Sequence, residues 1–338
     1  MSITISMIIP VQNGSKYLKR LYNGIKRQSF KNLEIIFVEN FSKDNSLNIL
    51  EDIAKRDKRV VVLESKTPGT SMARKKGIEY ASGKYTVFMD QDDEYINQFA
   101  LQGMYDIIEE TNASICQFSI YKKYYLGLKK KTSFINERRI LSVADIRNKE
   151  IAGMYEKSGG GCLSATVWSK IYLTAVLKDA IQHVKYSLYF AEDLFLNTCA
   201  MLSDKVTNVC VDPHAFYVWD TRYGFSGKKD SGNALFKDYN QIKPVMHQML
   251  KTANCSEDVV YRLHLESLYF MLSYLKANFN ETDLKKTYEL INTMSLYPCI
   301  QLAKRYVNTE LSEEKRFEEL VFLAGDYTPQ EFYEHFKG

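Results

Sequence analysis

Four carboxylates stand within five residues in Phe88-Met-Asp90-Gln-Asp92-Asp93-Glu94, just past a short apolar run. Acids so crowded raise one another's pKa unless a cation lies among them. Two readings follow: a solvated acidic turn, or a seat for a hard divalent ion that takes oxygen ligands and keeps room for a phosphate. A second pair, Glu192-Asp193, precedes the apolar Leu-Phe-Leu196. At a helix start such acids suit the positive end of the dipole, which is structural capping. A carboxylate there also serves as general base on a hydroxyl, provided the fold brings it opposite the first cluster. The third cluster is basic, Lys122, Lys123, Lys129, Lys130 and Lys131, interleaved with Tyr121, Tyr124 and Tyr125. It reads as a solvated hairpin, or as a contact for RNA or an anionic membrane surface. The five histidines show no ligand spacing, and the six cysteines form no C-x-x-C pair, so reduced core thiols are expected. Gly159-Gly160-Gly161 lacks the Lys-Ser/Thr of a phosphate-binding loop and reads as a flexible loop.

Strands and helices must hold these groups. Apolar runs at 3–9, 33–38, 60–63 and 85–89 predict four buried strands. Between them, 15–28 predicts a helix with Leu18, Leu21 and Ile25 on one face. Ser42 or Asp44 caps a helix carrying Leu47, Leu50 and Ile53, and 71–81 predicts a third, stopped by Gly83. Such alternation with continuous apolar strands means a mainly parallel sheet between helices. Ligands in these sheets sit beyond the carboxyl ends of the strands, which points to residues 10–14, 39–42 and 90–94. Further on, 113–121, 206–211 and 215–219 are strand-like, and 191–202 is helical. From 231 the pattern is helical almost to the end, with stripes at Val260, Leu263, Leu268, Met271, Leu275 and at Leu284, Tyr288, Ile291. These stripes suit packing within the chain or a homodimer through the C-terminal helices. A boundary is expected near 230.

The 338 residues are 45% apolar and 25% charged, an ordinary globular mixture that excludes disorder, collagen-like repeats and a small disulfide scaffold. A net charge of +4 gives no nucleic-acid partner. The N-terminus lacks a basic leader, and no apolar run approaches the ~20 residues of a membrane span. A cytoplasmic protein is expected, with peripheral contact at the inner face of the cytoplasmic membrane still open.

Residues 4–95 resemble the nucleotide-binding half of the family 2 glycosyltransferases, inverting enzymes of the GT-A fold. The matching stretches are Met7-Ile-Ile-Pro-Val-Gln-Asn13, Arg27-Gln-Ser-Phe30 and Lys31-Asn-Leu-Glu-Ile-Ile-Phe-Val38. Ser42-Lys-Asp-Asn-Ser46, Gly69-Thr-Ser-Met-Ala-Arg74 and Ala81-Ser-Gly-Lys-Tyr85 continue the match into Asp90-Gln-Asp-Asp93. Trp168-Ser-Lys-Ile-Tyr172 followed by Glu192-Asp193-Leu resembles the acceptor half of bacterial capsule and lipooligosaccharide sugar transferases. Tyr217 to Ser226, with Arg222, resembles the segment that closes the site. The resemblance implies a GT-A catalytic domain over 1–230, in halves 1–95 and 96–230, with 231–338 a helical C-terminal region outside it.

It also implies roles. Asp90 and Asp92 would hold Mn²⁺ or Mg²⁺ and reach the donor ribose, with Asp93 beside them. Pro10 and Val11 would line the nucleobase pocket, Glu39 would accept the uracil N–H, and Arg74 would contact the nucleotide. Asp193 would be the catalytic base, and Glu192, Trp168, Tyr217 and Arg222 would face the substrates. The expected reaction moves a hexose or N-acetylhexosamine from a UDP-sugar to a glycan or lipid-linked acceptor, with inversion. Three positions depart from the family pattern: Gln12 replaces an aromatic, Glu39-Asn40-Phe41 replaces Asp-Asp-Gly, and Lys75 replaces Asn. The alternatives are a sugar nucleotidyltransferase, whose Gly-rich Thr-Arg signature is absent, and an inactive nucleotide- or sugar-binding scaffold.

Overall fold

The computed structural model describes residues 3–124, 127–132, 135–155, 161–222, 231–278, 289, 292–307, 328, 331 and 334. Its first half runs β1 (Ile5–Val11), α1 (Ser15–Lys26), β2 (Leu33–Glu39), α2 (Ser46–Arg56), β3 (Val60–Glu64), α3 (Thr70–Tyr80), β4 (Tyr85–Phe88), β5 (Glu94–Tyr95) and α4 (Ala100–Thr111). There follow β6 (Ile115–Lys123), β7 (Lys129–Thr132), β8 (Arg139–Ser142), α5 (Val143–Asn148), β9 (Lys170–Leu173), α6 (Thr174–Ala180), α7 (Glu192–Met201) and β10 (Asn208–Asp220). The last described helices are α8 (Ser231–Thr252), α9 (Glu257–Asn278) and α10 (Pro298–Val307). Two compact units result: residues 1–146 with 162–228, and residues 147–161 with 229–338.

In the first unit the strands order β3-β2-β1-β4-β9-β6-β10-β5, with β7 on β6 and β8 on β10. The run β3-β2-β1-β4 is parallel, as expected of strands apolar on both faces. β9 breaks that pattern, lying antiparallel between β4 and β6, so the sheet as a whole is mixed. The two strands expected at 206–211 and 215–219 are one strand, β10. Its register against β6 shifts on both sides of Ala215, so Pro213-His214 makes an irregularity rather than a break.

Packing explains why α3 carries the chemistry. Gly77 lets it lie directly on β1: an added Cβ would sit 2.5 Å from Ile8 Cγ2. With Ala73 and Ile78 also buried, the helix cannot roll, and Arg74 one turn earlier is fixed beside the sheet. α1 buries Leu18, Leu21 and Ile25, the stripe its spacing predicts. At the opposite end of the sheet Glu34 is buried, and its Oε1 accepts from Ser6 Oγ (2.5 Å), Ser82 N (2.7 Å) and Gly83 N (3.3 Å). All six cysteines are free and buried.

The second unit packs α8, α9 and α10 with a 3-10 turn at Glu150–Met154. Val260, Leu263, Leu268 and Met271 of the predicted stripe are buried within it, against α8 residues such as Phe236, Ile242 and Met246. Its core also holds Lys243, bonded to Glu266 and to Leu263 O (3.1 Å), with Tyr239 OH 3.0 Å from Glu266. The Leu284-Tyr288-Ile291 stripe, the core of the glycine loop at 156–160, and Ser226 lie outside the described residues. Among the described residues no helix is long and apolar enough to cross a membrane.

Candidate active site

The carboxyl ends of β1, β2 and β4 make one rim. Past β1, Gln12 and Gln91 bond reciprocally: Gln12 N donates to Gln91 Oε1 (3.1 Å) and Gln91 Nε2 to Gln12 O (3.0 Å). Gln12 Nε2 also reaches Asn40 O (3.0 Å), so the residue replacing an aromatic is pinned on two sides. Pro10 is half-buried, and Val11 has a fully buried side chain with its carbonyl accepting from Asn40 N. Glu39 is turned onto its own loop, accepting from Ser42 N (2.5 Å) and Phe41 N (3.2 Å). Phe41 follows at φ 58° and is 48% exposed. A bulky side chain in that left-handed region is strained. Asn13 (φ 51°) and Ala191 (φ 55°) share the conformation, which asparagine adopts readily and alanine does not.

Arg74 is the centre. Its side chain is 4% exposed and donates to three carboxylates: Asp193 Oδ1 (2.5 Å), Glu192 Oε1 (3.0 Å) and Asp90 Oδ1 (3.1 Å). Burial opposes its charge, yet Asp193, Asp90 and Glu192 together hold the guanidinium even further above its ordinary value. Burial pushes Asp90 up to about 6, with Asp193 and Asp92 adding and Arg74 opposing. Burial likewise takes Glu192 to about 8, helped by Asp193 and opposed by Arg74. The approach of Glu192-Asp193 to α3 is clamped by the segment before them. Ser71 N donates to Leu188 O (3.3 Å), Leu188 N to Ser71 Oγ (2.8 Å), and Lys75 Nζ to Val184 O (2.8 Å). Gly69, at φ 116°, lets that segment close: an added Cβ would stand 2.6 Å from Ser187 Oγ. A small cavity lined by Ser71, Arg74, Lys75, Glu192 and Phe195 lies behind the cluster.

Asp193 is held from the other side too. Val167 N donates to its Oδ2 (3.2 Å), and Asn197 Nδ2 donates to its carbonyl (3.1 Å) while Asn197 Oδ1 accepts from Tyr172 OH (2.8 Å). Lys170, fully buried, staples the 164–167 loop by donating to Ser164 O (2.8 Å) and Thr166 O (2.5 Å). Burial brings its ammonium down to about 7, against the pull of Asp193.

The other acids face a second hub. Asp93 is buried, accepting from Tyr217 OH (2.7 Å) and Asp220 N (2.8 Å); burial, then Asp90, holds it well above the carboxylate range. Asp220 binds Arg222 in a fork (2.7 and 2.6 Å), with Lys123 3.6 Å and Arg20 3.7 Å away. Arg20 also donates to Asp92 O. Trp168 stacks on Tyr217 at 4.7 Å, and Asp90 N lies 3.1 Å from Tyr217 OH.

The structure thus brings Arg74, Asp90, Glu192 and Asp193 together, with Asp93, Tyr217 and Trp168 alongside. It sets Glu39 on its own turn and Arg222 on Asp220. Lys170, Gln91, Asn197, Arg20 and Asp220 were not foreseen; only Lys170, a cation opening an apolar strand, carried a signal. Among the described residues no three His, Cys, Asp or Glu side chains are placed to hold a metal ion. The donor set nonetheless suits one. Asp90, Glu192 and Asp193 meet on the buried Arg74 guanidinium, with Asp92 and Asp93 on the adjoining loop, and Mg²⁺ needs only one or two protein carboxylates when phosphate oxygens complete its shell.

Comparison with known proteins agrees with this geometry. The family model described as Glycosyl transferase family 2 matches residues 6–159. Glycosyltransferase GlyA of Streptococcus pneumoniae is 24% identical over 333 residues, covering 96% of this chain and 44% of the relative. The poly(ribitol-phosphate) beta-N-acetylglucosaminyltransferase TarS of Staphylococcus aureus is 28% identical over 215 residues, 63% of this chain and 35% of the relative. The chain therefore spans less than half the length of these relatives. The crystal structure of S. aureus TarS 1-349 in complex with UDP-GlcNAc superposes with a TM-score of 0.69 at 20% identity, covering 98% of this chain and 92% of that one. That likeness fixes the fold as GT-A.

Proposed function

We propose, from the match of residues 6–159 to the glycosyl transferase family 2 model, that this chain is a glycosyltransferase that moves a hexose or N-acetylhexosamine from a UDP-sugar to a bacterial surface-glycan hydroxyl, with inversion. One observation carries the reading: buried Arg74 ties Asp193, the assigned base, to Asp90 of the donor motif. Arg74 Nε is buried without a partner, which supports a role toward donor phosphate.

In this reading Asp193 takes the acceptor proton. Val167 N and Arg74 fix one lone pair on each oxygen, which leaves the others to receive the hydrogen. The acceptor oxygen then bonds the anomeric carbon as the sugar–phosphate bond breaks, and that electron pair leaves with UDP. Asp90 and Asp92 would hold the divalent ion, which when bound neutralises charge on the diphosphate. Trp168 and Tyr217, stacked on each other and buried, would back the acceptor side of the site. A lipid-linked acceptor would place the enzyme at the inner face of the cytoplasmic membrane. Exposed Phe270 and Leu296 are the helical unit's candidates for self-association.

A nucleotide-sugar panel, read as UDP release with and without Mn²⁺, tests the donor. Asp193→Asn should keep UDP binding and lose turnover; near-normal turnover would sink the assignment of the base. Pyrophosphate-dependent exchange in place of transfer would favour a nucleotidyltransferase.

A further inference from the structure

The hairpin of β6 and β7 sets lysines in register across strands, Lys122 opposite Lys130 and Lys123 opposite Lys129. Like charges directly opposite one another are unfavourable. On one face the conflict is resolved from within: Glu94 sits between Lys123 (3.2 Å) and Lys129 (3.0 Å). Strand alternation puts Lys122 and Lys130 on the other face. There, among the described residues, no carboxylate lies within ion-pair distance of either.

That face is continuous with the site. Trp219 of β10 is the register partner of Lys122, so Trp219, Lys122 and Lys130 form one row across three strands. Lys122 Nζ stands 5.1 Å from the Trp219 ring centroid. Trp219 is 6.0 Å from Trp168, which stacks on Tyr217 and directly follows Val167, the residue donating to Asp193. A buried aromatic stack, Tyr217 and Trp168, therefore runs from the base to half-buried Trp219, which adjoins an unneutralised lysine pair.

We infer that the Trp219–Lys122–Lys130 row is an acceptor subsite for a phosphate-bearing saccharide, the ring lying against Trp219 and the phosphate between the two ammonium groups. Aromatic faces suit the apolar side of a sugar, and paired lysines suit phosphate as point charges. The inference rests on the proposed glycosyl transfer and adds the charge class of the acceptor.

The test uses the full chain saturated with UDP and Mn²⁺, so that the donor site cannot take the probe. Methyl glucoside 6-phosphate and neutral methyl glucoside are titrated by ligand-observed NMR. The phosphate probe should bind more tightly, and Lys122→Gln/Lys130→Gln should weaken it about tenfold while leaving UDP affinity unchanged. Lys131→Gln, an exposed residue on the opposite face, should leave both unchanged. Equal binding of the two probes, or an equal loss in Lys131→Gln, overturns the subsite. Lysine-dependent binding to anionic phosphatidylglycerol vesicles without preference for the phosphate probe also overturns it. Failure of the wild type to bind UDP refutes the proposed function instead, and the probe comparison is then read on the chain alone.

Discussion

Replacing Glu192 by Gln should stabilise the protein at pH 8 and have a much smaller effect at pH 5. Glu192 has a folded value of about 8 against an ordinary 4.5. From about pH 4.5 to 8 the fold therefore keeps a proton that the unfolded chain has released. Stability is present below 4.5 and lost as pH rises through 8, at about 1.36 kcal/mol per unit traversed. From pH 5 to 8 the loss is roughly 3.5 kcal/mol. Glutamine keeps an oxygen for Arg74 Nη1, now 3.0 Å away, and removes the charge that burial and Asp193 disfavour. Arg74 retains Asp90 and Asp193. Urea unfolding at the two pH values, followed by tryptophan fluorescence, reads the relevant unit, because both tryptophans, Trp168 and Trp219, lie in it. A variant no more stable than wild type at pH 8, or equally stabilised at pH 5, would refute the reasoning.

Arg74→Met should cost about 3–5 kcal/mol, because it leaves buried carboxylates without their cation; the loss should shrink at pH 5 in the same urea assay as Asp90 and Glu192 take protons. Gly77→Ala should destabilise by about 1–3 kcal/mol, since the new methyl meets Ile8 at 2.5 Å, and Gly77→Ala with Ile8→Val should recover part of it in thermal melts. Lys170 has a folded value of about 7 against 10.5, so the unfolded chain holds the extra proton between them and stability from this group rises with pH over that window. Lys170→Met should abolish that rise in denaturation midpoints measured at pH 7 and 9.

The chemistry-bearing segments were legible because each follows a short apolar run whose burial leaves only a parallel strand as its solution, as with Val38 before Glu39 and Phe88 before Asp90. The joining of those segments was not. Asp193 meets Arg74 across 119 residues of chain, and nothing local announces a contact made by α7 on α3. Glu39 looked available to a ligand because the sequence gives its type and place but not the two N–H groups of its own turn. Strand β10 read as two because Pro213 interrupts the alternation that a bulge tolerates. Residues 147–161 joined the helical unit, and only the far end of that segment, Gly159-Gly160-Gly161, carries a compositional mark.

The place of β9 bears on synthesis of the chain. β4 has β1 on one side and only β9 on the other, and β9 begins at Lys170, roughly eighty residues after β4 ends. A ribosome adding ~5–20 residues per second leaves that edge without its partner for several seconds. Over the same interval Arg74 has emerged with Asp90 but without Glu192 and Asp193. The nascent amino-terminal half therefore carries an apolar strand edge and an under-neutralised arginine until the acceptor half emerges.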